Sequence, residues 1–205
     1  MMRRSIAFFR GPARHSAIVG LALTLAGCAA TPAYQPTAPR FDGPPVWQVA
    51  ADRIEIKTAP GVMPPDGAVA ARLAAQPADV ARGWAKSRLK ADPGASGTVI
   101  YMVEKAEAIE RYLQREKGVT ALFVKNTEAE FTVAFAVNLT QFDASGVRRG
   151  GARAESQVIG QLKEGSDEDD RRKLWERLLI DAADRLDQEL QKQAPTGLPG
   201  ARQIR

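Results

Sequence analysis

Two residue types on which many enzymes depend are almost missing from this 205-residue chain: it has one cysteine, Cys28, and one histidine, His15. A single cysteine has no disulfide partner within the chain. Acidic residues are absent ahead of Cys28, whereas four of the 29 basic residues (Arg3, Arg4, Arg10 and Arg14) lie there. That leaves 25 basic residues against 24 acidic ones from Cys28 onward. The net charge of +5 therefore belongs to the N-terminal stretch and does not mark a nucleic-acid surface. No glycine-rich phosphate loop of the P-loop or dinucleotide type is present. Apolar runs are short as well. The longest, Ala17 to Leu25, is too short to span a bilayer as a folded anchor.

The segment ahead of Cys28 has the three parts of an export signal. A basic stretch runs from Met1 to His15, the apolar run comes next, and Leu25-Ala26-Gly27-Cys28 closes it. This tetrapeptide resembles the lipobox of bacterial lipoproteins, with an apolar residue three before the cysteine and two small residues between. The resemblance implies that Leu25, Ala26 and Gly27 are read by the signal peptidase, that residues 1–27 are removed, and that Cys28 carries diacylglycerol. Lipid chains contribute about 0.8 kcal/mol per buried methylene, so two or three of them anchor a protein durably. Ala29 stands where an aspartate would resemble the inner-membrane retention signal, so the resemblance implies the outer membrane and a periplasm-facing domain.

Loss of the leader removes His15 and leaves a mature chain without histidine. That excludes Ser-His-Asp and Cys-His nucleophile systems, and histidine-based zinc or haem sites. Catalysis would rest on carboxylates, lysines or hydroxyls alone. Neither a cofactor nor a metal is expected. The acidic run Asp167-Glu168-Asp169-Asp170 lacks the alternating ligands, central glycine and closing glutamate of a calcium loop, and reads as charge at a helix start. Glu128 and Glu130 share a strand face as a conceivable acid/base pair, but solvated edge charges are the plainer reading. Arg148, Arg149 and Arg153 make a small basic patch near a hairpin tip, three charges that ordinary surface also carries.

Residues 28–45 read as a proline-rich tether, 46–193 as a single domain, and 194–205 as a disordered tail rich in breakers. Within the domain the patterning predicts a strand from Val46 to Lys57 and a helix from Pro77 to Ala91. A second strand covers Thr98 to about Ala106, and the segment from Glu107 to Lys125 reads as either helix or excursion. Glu128 to Phe142 alternates Phe131, Val133, Phe135, Val137 and Leu139 against smaller residues, and Arg149 to Leu162 returns antiparallel. A final helix capped by Ser166 carries Leu174, Trp175, Leu178, Leu179, Ala182, Leu186 and Leu190 in one stripe.

The order β-α-β-β-β-α predicts an α+β two-layer sandwich, with two helices on one face of a mainly antiparallel four-stranded sheet. Trp84 and Trp175 lie on the apolar helix faces and belong to the core. Trp47 has no such assignment. The small-residue side of the long strand, Ala134 and Ala136, reads as plain sheet surface or as a surface for another protein.

With the lipobox, this order resembles lipopolysaccharide-assembly lipoproteins and the auxiliary lipoproteins of lipid-transport ABC systems. The resemblance implies a non-enzymatic interaction module of an envelope assembly, held to the membrane by lipid and partnered by an envelope protein. Two other readings stand beside it. A carrier of lipid or another apolar ligand would need a cavity between helices and sheet. A carboxylate-based hydrolase would need two acids facing each other in a cleft.

Overall fold

In β-strands alternate side chains face alternate sides, so a change of phase marks a change of direction. Such a change occurs between Trp47, Val49 and Ala51, all buried on odd positions, and Ile54 and Ile56 on even ones. The computed structural model, which describes residues 38–43, 45–62, 73, 75–113 and 127–204, divides the chain there. In place of one strand from Val46 to Lys57 there are two, β1 (Val46–Val49) and β2 (Arg53–Thr58), belonging to different sheets. The expected leader, with Leu25, Ala26 and Gly27, and the expected lipidation residue Cys28 lie outside the described residues. The chain also divides between Tyr34 and Gln35, and every described residue belongs to the second unit, Gln35–Arg205.

Helix α1 (Pro77–Arg88) begins on a proline, which suits the first turn because the amide it lacks has no helical partner there. It ends three residues earlier than the periodicity predicts. Leu89–Ala91 leave the helix as β3 and pair in parallel with β1, Trp47 opposite Leu89 and Val49 opposite Ala91. Strand β4 (Thr98–Tyr112) runs further than expected and takes the first part of the ambiguous segment, while residues 114–126 lie outside the described residues. Strands β5 (Thr127–Phe142) and β6 (Arg148–Lys163) form the expected hairpin. Its turn is held by Asp143, whose Oδ1 accepts from the Ser145 hydroxyl at 2.6 Å and from the Ser145 and Val147 amides at 3.0 Å each. Those donors hold the Asp143 carboxyl below its ordinary pKa, the hydroxyl of Ser145 most of all.

Helix α2 (Glu168–Gly197) starts one residue later than a Ser166 cap would give. Asp167 caps it, its Oδ1 accepting from the Asp170 amide at 2.8 Å while the Asp170 carboxylate accepts from the Asp167 amide. This reciprocal box satisfies two otherwise unpaired donors. Asp167→Ala should cost about 1 kcal/mol, read as a lower urea midpoint at unchanged slope. An unchanged midpoint would show that Ser166 takes over the cap.

The C-terminal region departs most from expectation. Residues 194–204, expected as part of a disordered tail over 194–205, are ordered: α2 continues through Pro195 to Gly197, and Leu198 is 1% exposed. Pro199 and Gly200 turn the chain, and β7 (Arg202–Ile204) pairs antiparallel with β1, Val46 opposite Ile204. Buried Ala194 and Leu198, with Arg202 bonding Gln48 Oε1 at 3.0 Å, tie the segment down.

The result is α+β, with two sheets in place of the one foreseen. The larger has strand order β2-β4-β5-β6, in which β2–β4 is parallel and the other two pairings antiparallel. The smaller has order β3-β1-β7. Both helices lie on the phenylalanine side of the larger sheet. There the Tyr101 hydroxyl donates to the Ala81 carbonyl at 2.9 Å and Ser156 Oγ to that of Ala182 at 2.9 Å. Trp84 stacks on Tyr101 at 5.7 Å, and burial raises the pKa of that phenol. Trp175 meets Phe131 edge-on at 4.6 Å. The core expected of Trp84 and Trp175 is thus observed, and Trp47 joins it at 7% exposure in β1.

Candidate functional site

The alternation that sends Phe131, Val133 and Phe135 toward the helices sends Thr132, Ala134, Ala136 and Asn138 the other way. Among the described residues no element covers that second face. The register assembles it in rows across β4, β5 and β6: Met102, Asn138 and Arg153; Lys105, Ala136 and Glu155; Glu107, Ala134 and Gln157; Ile109, Thr132 and Ile159. A bulge between Val103 and Lys105 inserts Glu104 between the first two rows.

Ala134 and Ala136 are only 4% and 6% exposed although no helix covers them. Long neighbours stand around two small residues, and a groove of about 460 Å³ results, walled by Glu104, Lys105, Glu107, Arg153 and Glu155. Every charge of the wall has a partner, although three carboxylates share two cations. Arg153 holds Glu155 at 2.9 Å and Glu104 at 3.4 Å, and Lys105 holds Glu107 at 3.3 Å. Asn138 Nδ2 donates to Glu104 at 3.3 Å. On β2, Lys57 and Arg53 bracket Glu55 at 2.7 and 3.3 Å, and Lys57 above all keeps that carboxyl below its ordinary pKa. Exposed pairs of this kind add little to stability, so the lattice balances charge across the face more than it holds the fold. Beyond the charged rows, Ile109 and Ile159 are 44% and 53% exposed. Large aliphatic side chains left in water on a sheet face suit contact with another apolar surface.

The residues singled out from sequence are dispersed. Glu128 and Glu130 do not act as a pair: Glu128 binds Arg171 at 3.0 Å, whereas Glu130 sits opposite Arg111 and Gln161. The acidic run is absorbed in the helix start, with Asp167 and Asp170 in the cap, Glu168 3.6 Å from Arg171, and Asp169 paired with Arg172 and Lys173. Hydrogen bonding from Lys173 lowers the Asp169 pKa. Among the described residues no group of three or more metal-ligating side chains converges. The basic hairpin tip also dissolves. Arg153 lies along β6 between two carboxylates, and Arg149 has Asp143 at 3.9 Å.

Two buried clusters escaped the sequence reading. At the junction of the helices, Arg88 grips Asp187 through Nε at 3.1 Å and Nη2 at 2.8 Å, and Trp84 Nε1 donates to the same carboxylate at 2.7 Å. Arg88 also donates to the carbonyls of Gly43 and Pro45, fastening the chain ahead of β1. At the start of α2, Arg171 binds Glu110 and Glu128, meets the Tyr112 hydroxyl at 3.2 Å, and lies over the rings of Tyr112 and Phe131. A charge on an apolar stripe was the available signal: Arg88 lies one turn after Trp84, and Arg171 one turn before Trp175.

No family model and no curated protein matches the chain. Among solved structures, rare lipoprotein B from Shewanella oneidensis is similar at 12% identity and a TM-score of 0.36, covering 68% of this chain and 94% of its own. A minor lipoprotein from Acinetobacter baumannii is similar at 8% identity and 0.36, covering 69% and 93%. A putative lipoprotein from Caulobacter crescentus is similar at 16% and 0.30, covering 67% and 88%. Likenesses of this size assign neither a fold family nor a role to this chain.

Proposed function

We propose that this chain is a lipid-anchored lipoprotein of the bacterial outer membrane whose periplasm-facing domain binds an envelope protein and performs no chemistry of its own. The uncovered face of the larger sheet carries the reading: an alanine-floored groove walled by ion-paired side chains and continued by exposed Ile109 and Ile159. A partner settling there meets charges already paired with one another around a small apolar floor, so contact on the floor strands few of them. The anchor rests on Leu25-Ala26-Gly27-Cys28, and the choice of the outer membrane on Ala29.

The carrier reading is weaker on a specific observation. Phe131, Phe135, Leu179 and Leu186, none more than 1% exposed, stand with Trp175 where an apolar ligand would have to lie. The hydrolase reading loses its acid pair, since Glu128 is held by Arg171.

Two experiments test the proposal. Cys28→Ser should leave an unprocessed precursor that incorporates no labelled lipid; labelling equal to the wild type would remove the anchor. For the face, a photo-crosslinking residue is placed at Ala136 in the full chain in cells, with exposed Lys173 on α2 as the comparison position. Capture of one envelope protein from position 136 and not from 173 is expected. Equal capture from both positions, or none from 136, overturns the assignment of the face.

A further inference from the structure

Strand β6 is the outer strand of the larger sheet, 16 residues long, with β5 as its one strand partner among the described residues. Protein folds usually guard so long an edge with proline, a bulge or a covering loop, because its unpaired amides and carbonyls invite another strand. From Arg148 to Lys163 there is no proline, and from Gly150 to Leu162 the β5–β6 register runs without a shift. Among the described residues, covering is seen toward one end, where Gly197 at the end of α2 and Pro199 just past it press on Gly150 and Gly151. From Arg153 onward the side-chain guard seen on the strand's outer carbonyls is Arg185, an exposed side chain bonding the Gln157 carbonyl at 3.3 Å.

That contact also shows which backbone groups point outward. In an antiparallel ladder both polar groups of one residue face the same neighbour, and successive residues alternate. The Gln157 carbonyl reaches Arg185 and the Gly151 carbonyl faces Gly197, so the odd-numbered residues of β6 turn their amides and carbonyls to the open edge.

We propose that β6 pairs with β6 of a second copy of this chain, antiparallel about a two-fold axis at Ile159, joining two four-stranded sheets into one of eight. The charge pattern selects this register. With the axis at Ile159, Glu155 lies opposite Lys163 of the partner copy, Gln157 opposite Gln161, and Ile159 opposite its own mate. All of these are odd-numbered residues with their backbone groups outward. The axis produces the Glu–Lys pair twice, and the exposed Ile159 pair covers itself. Moving the axis to between Gln157 and Ile159 sets Arg153 against Lys163, two like charges. Centring it on Ala154 matches Arg153 with Glu155 but runs the partner strand into the covered Gly150–Gly151 end. The stretch from Glu155 to Lys163 avoids that obstruction, and among the described residues pairing there displaces the Arg185 side chain.

Single cysteines in the full-length protein, oxidised in intact cells, test the geometry. The wild-type chain, whose one cysteine is Cys28, sets the background. Facing residues of a hydrogen-bonded antiparallel pair have Cα atoms about 5.5 Å apart, within disulfide reach. Ile159→Cys should therefore give a disulfide-linked dimer. The two copies of Gln161→Cys would stand four residues apart along the strands, about 14 Å, and should give none. On the Ile159→Cys background, Glu155→Lys and Lys163→Glu should each lower the dimer yield by about fivefold, and the two together should restore it. These positions are exposed, so the substitutions do not threaten the core. Absence of the Ile159→Cys dimer, equal dimer from both cysteines, disulfides only to other proteins, or failure of the charge exchange to restore yield would each overturn the proposal.

Discussion

Arg88→Ala should destabilise the domain by about 3–5 kcal/mol, among the largest effects available to a single substitution outside the apolar core. The Arg88 side chain is 7% exposed and that of Asp187 14%, so the pair is held where water screens little. Removing the guanidinium leaves the Asp187 carboxylate buried with Trp84 Nε1 as its remaining donor, and frees the carbonyls of Gly43 and Pro45. The cost lies mainly in that stranded charge. Arg88→Lys should recover only part of it, because an ammonium does not reproduce the forked contact with both carboxylate oxygens. Urea denaturation of both variants measures this. A loss below about 1 kcal/mol for Arg88→Ala would show that water reaches Asp187 and that the helices are joined by apolar contact alone.

Trp175→Ala should be comparably severe, about 3–5 kcal/mol, for a different reason. The indole is 4% exposed, meets Phe131 edge-on, and is flanked by Leu174, Leu178 and Leu179 on the helix stripe. Its removal opens a void between α2 and β5 that neighbouring leucines fill only in part, so lost burial and an unfilled cavity add. The Arg171 guanidinium over Phe131 would lose part of its apolar floor as well. An unchanged melting curve would show that α2 contributes little to the core, against the burial of its stripe.

Much of this architecture was legible because burial imposes periods on the sequence. The alternation of Phe131 to Leu139 and the stripe from Leu174 to Leu190 each state which side faces the interior. What escaped was pairing between distant segments. Leu89–Ala91 continue a helical pattern, yet become strand because β1 offers them hydrogen bonds from more than forty positions away in sequence. Breakers at Pro199 and Gly200 read as an end to order, but they serve as a turn that returns Arg202–Ile204 to β1. No local pattern announces either partner.

The same limit hid the functional features. Ala134 and Ala136 were visible as a small-residue side, while the walls of their groove come from two other strands, β4 and β6, whose alignment with β5 depends in part on the Val103–Lys105 bulge. Ile109 and Ile159 stand fifty positions apart and become neighbours only through Thr132. The Arg88–Asp187 contact likewise joins two helices that the sequence places at opposite ends of the domain.

The three-stranded sheet gives the domain a mechanical design. A pull arriving from the N-terminal side is met by buried Phe41 and by the Arg88 clamp on Gly43 before it reaches β1. β1 is flanked by β3 and β7, so drawing it out lengthwise strains its hydrogen bonds together, as a shear load, and does not open them singly. Ile204 lies opposite Val46, so the end of β7 is held beside the start of β1. Force carried into β1 is borne by the smaller sheet, while the strands that carry the groove belong to the larger one.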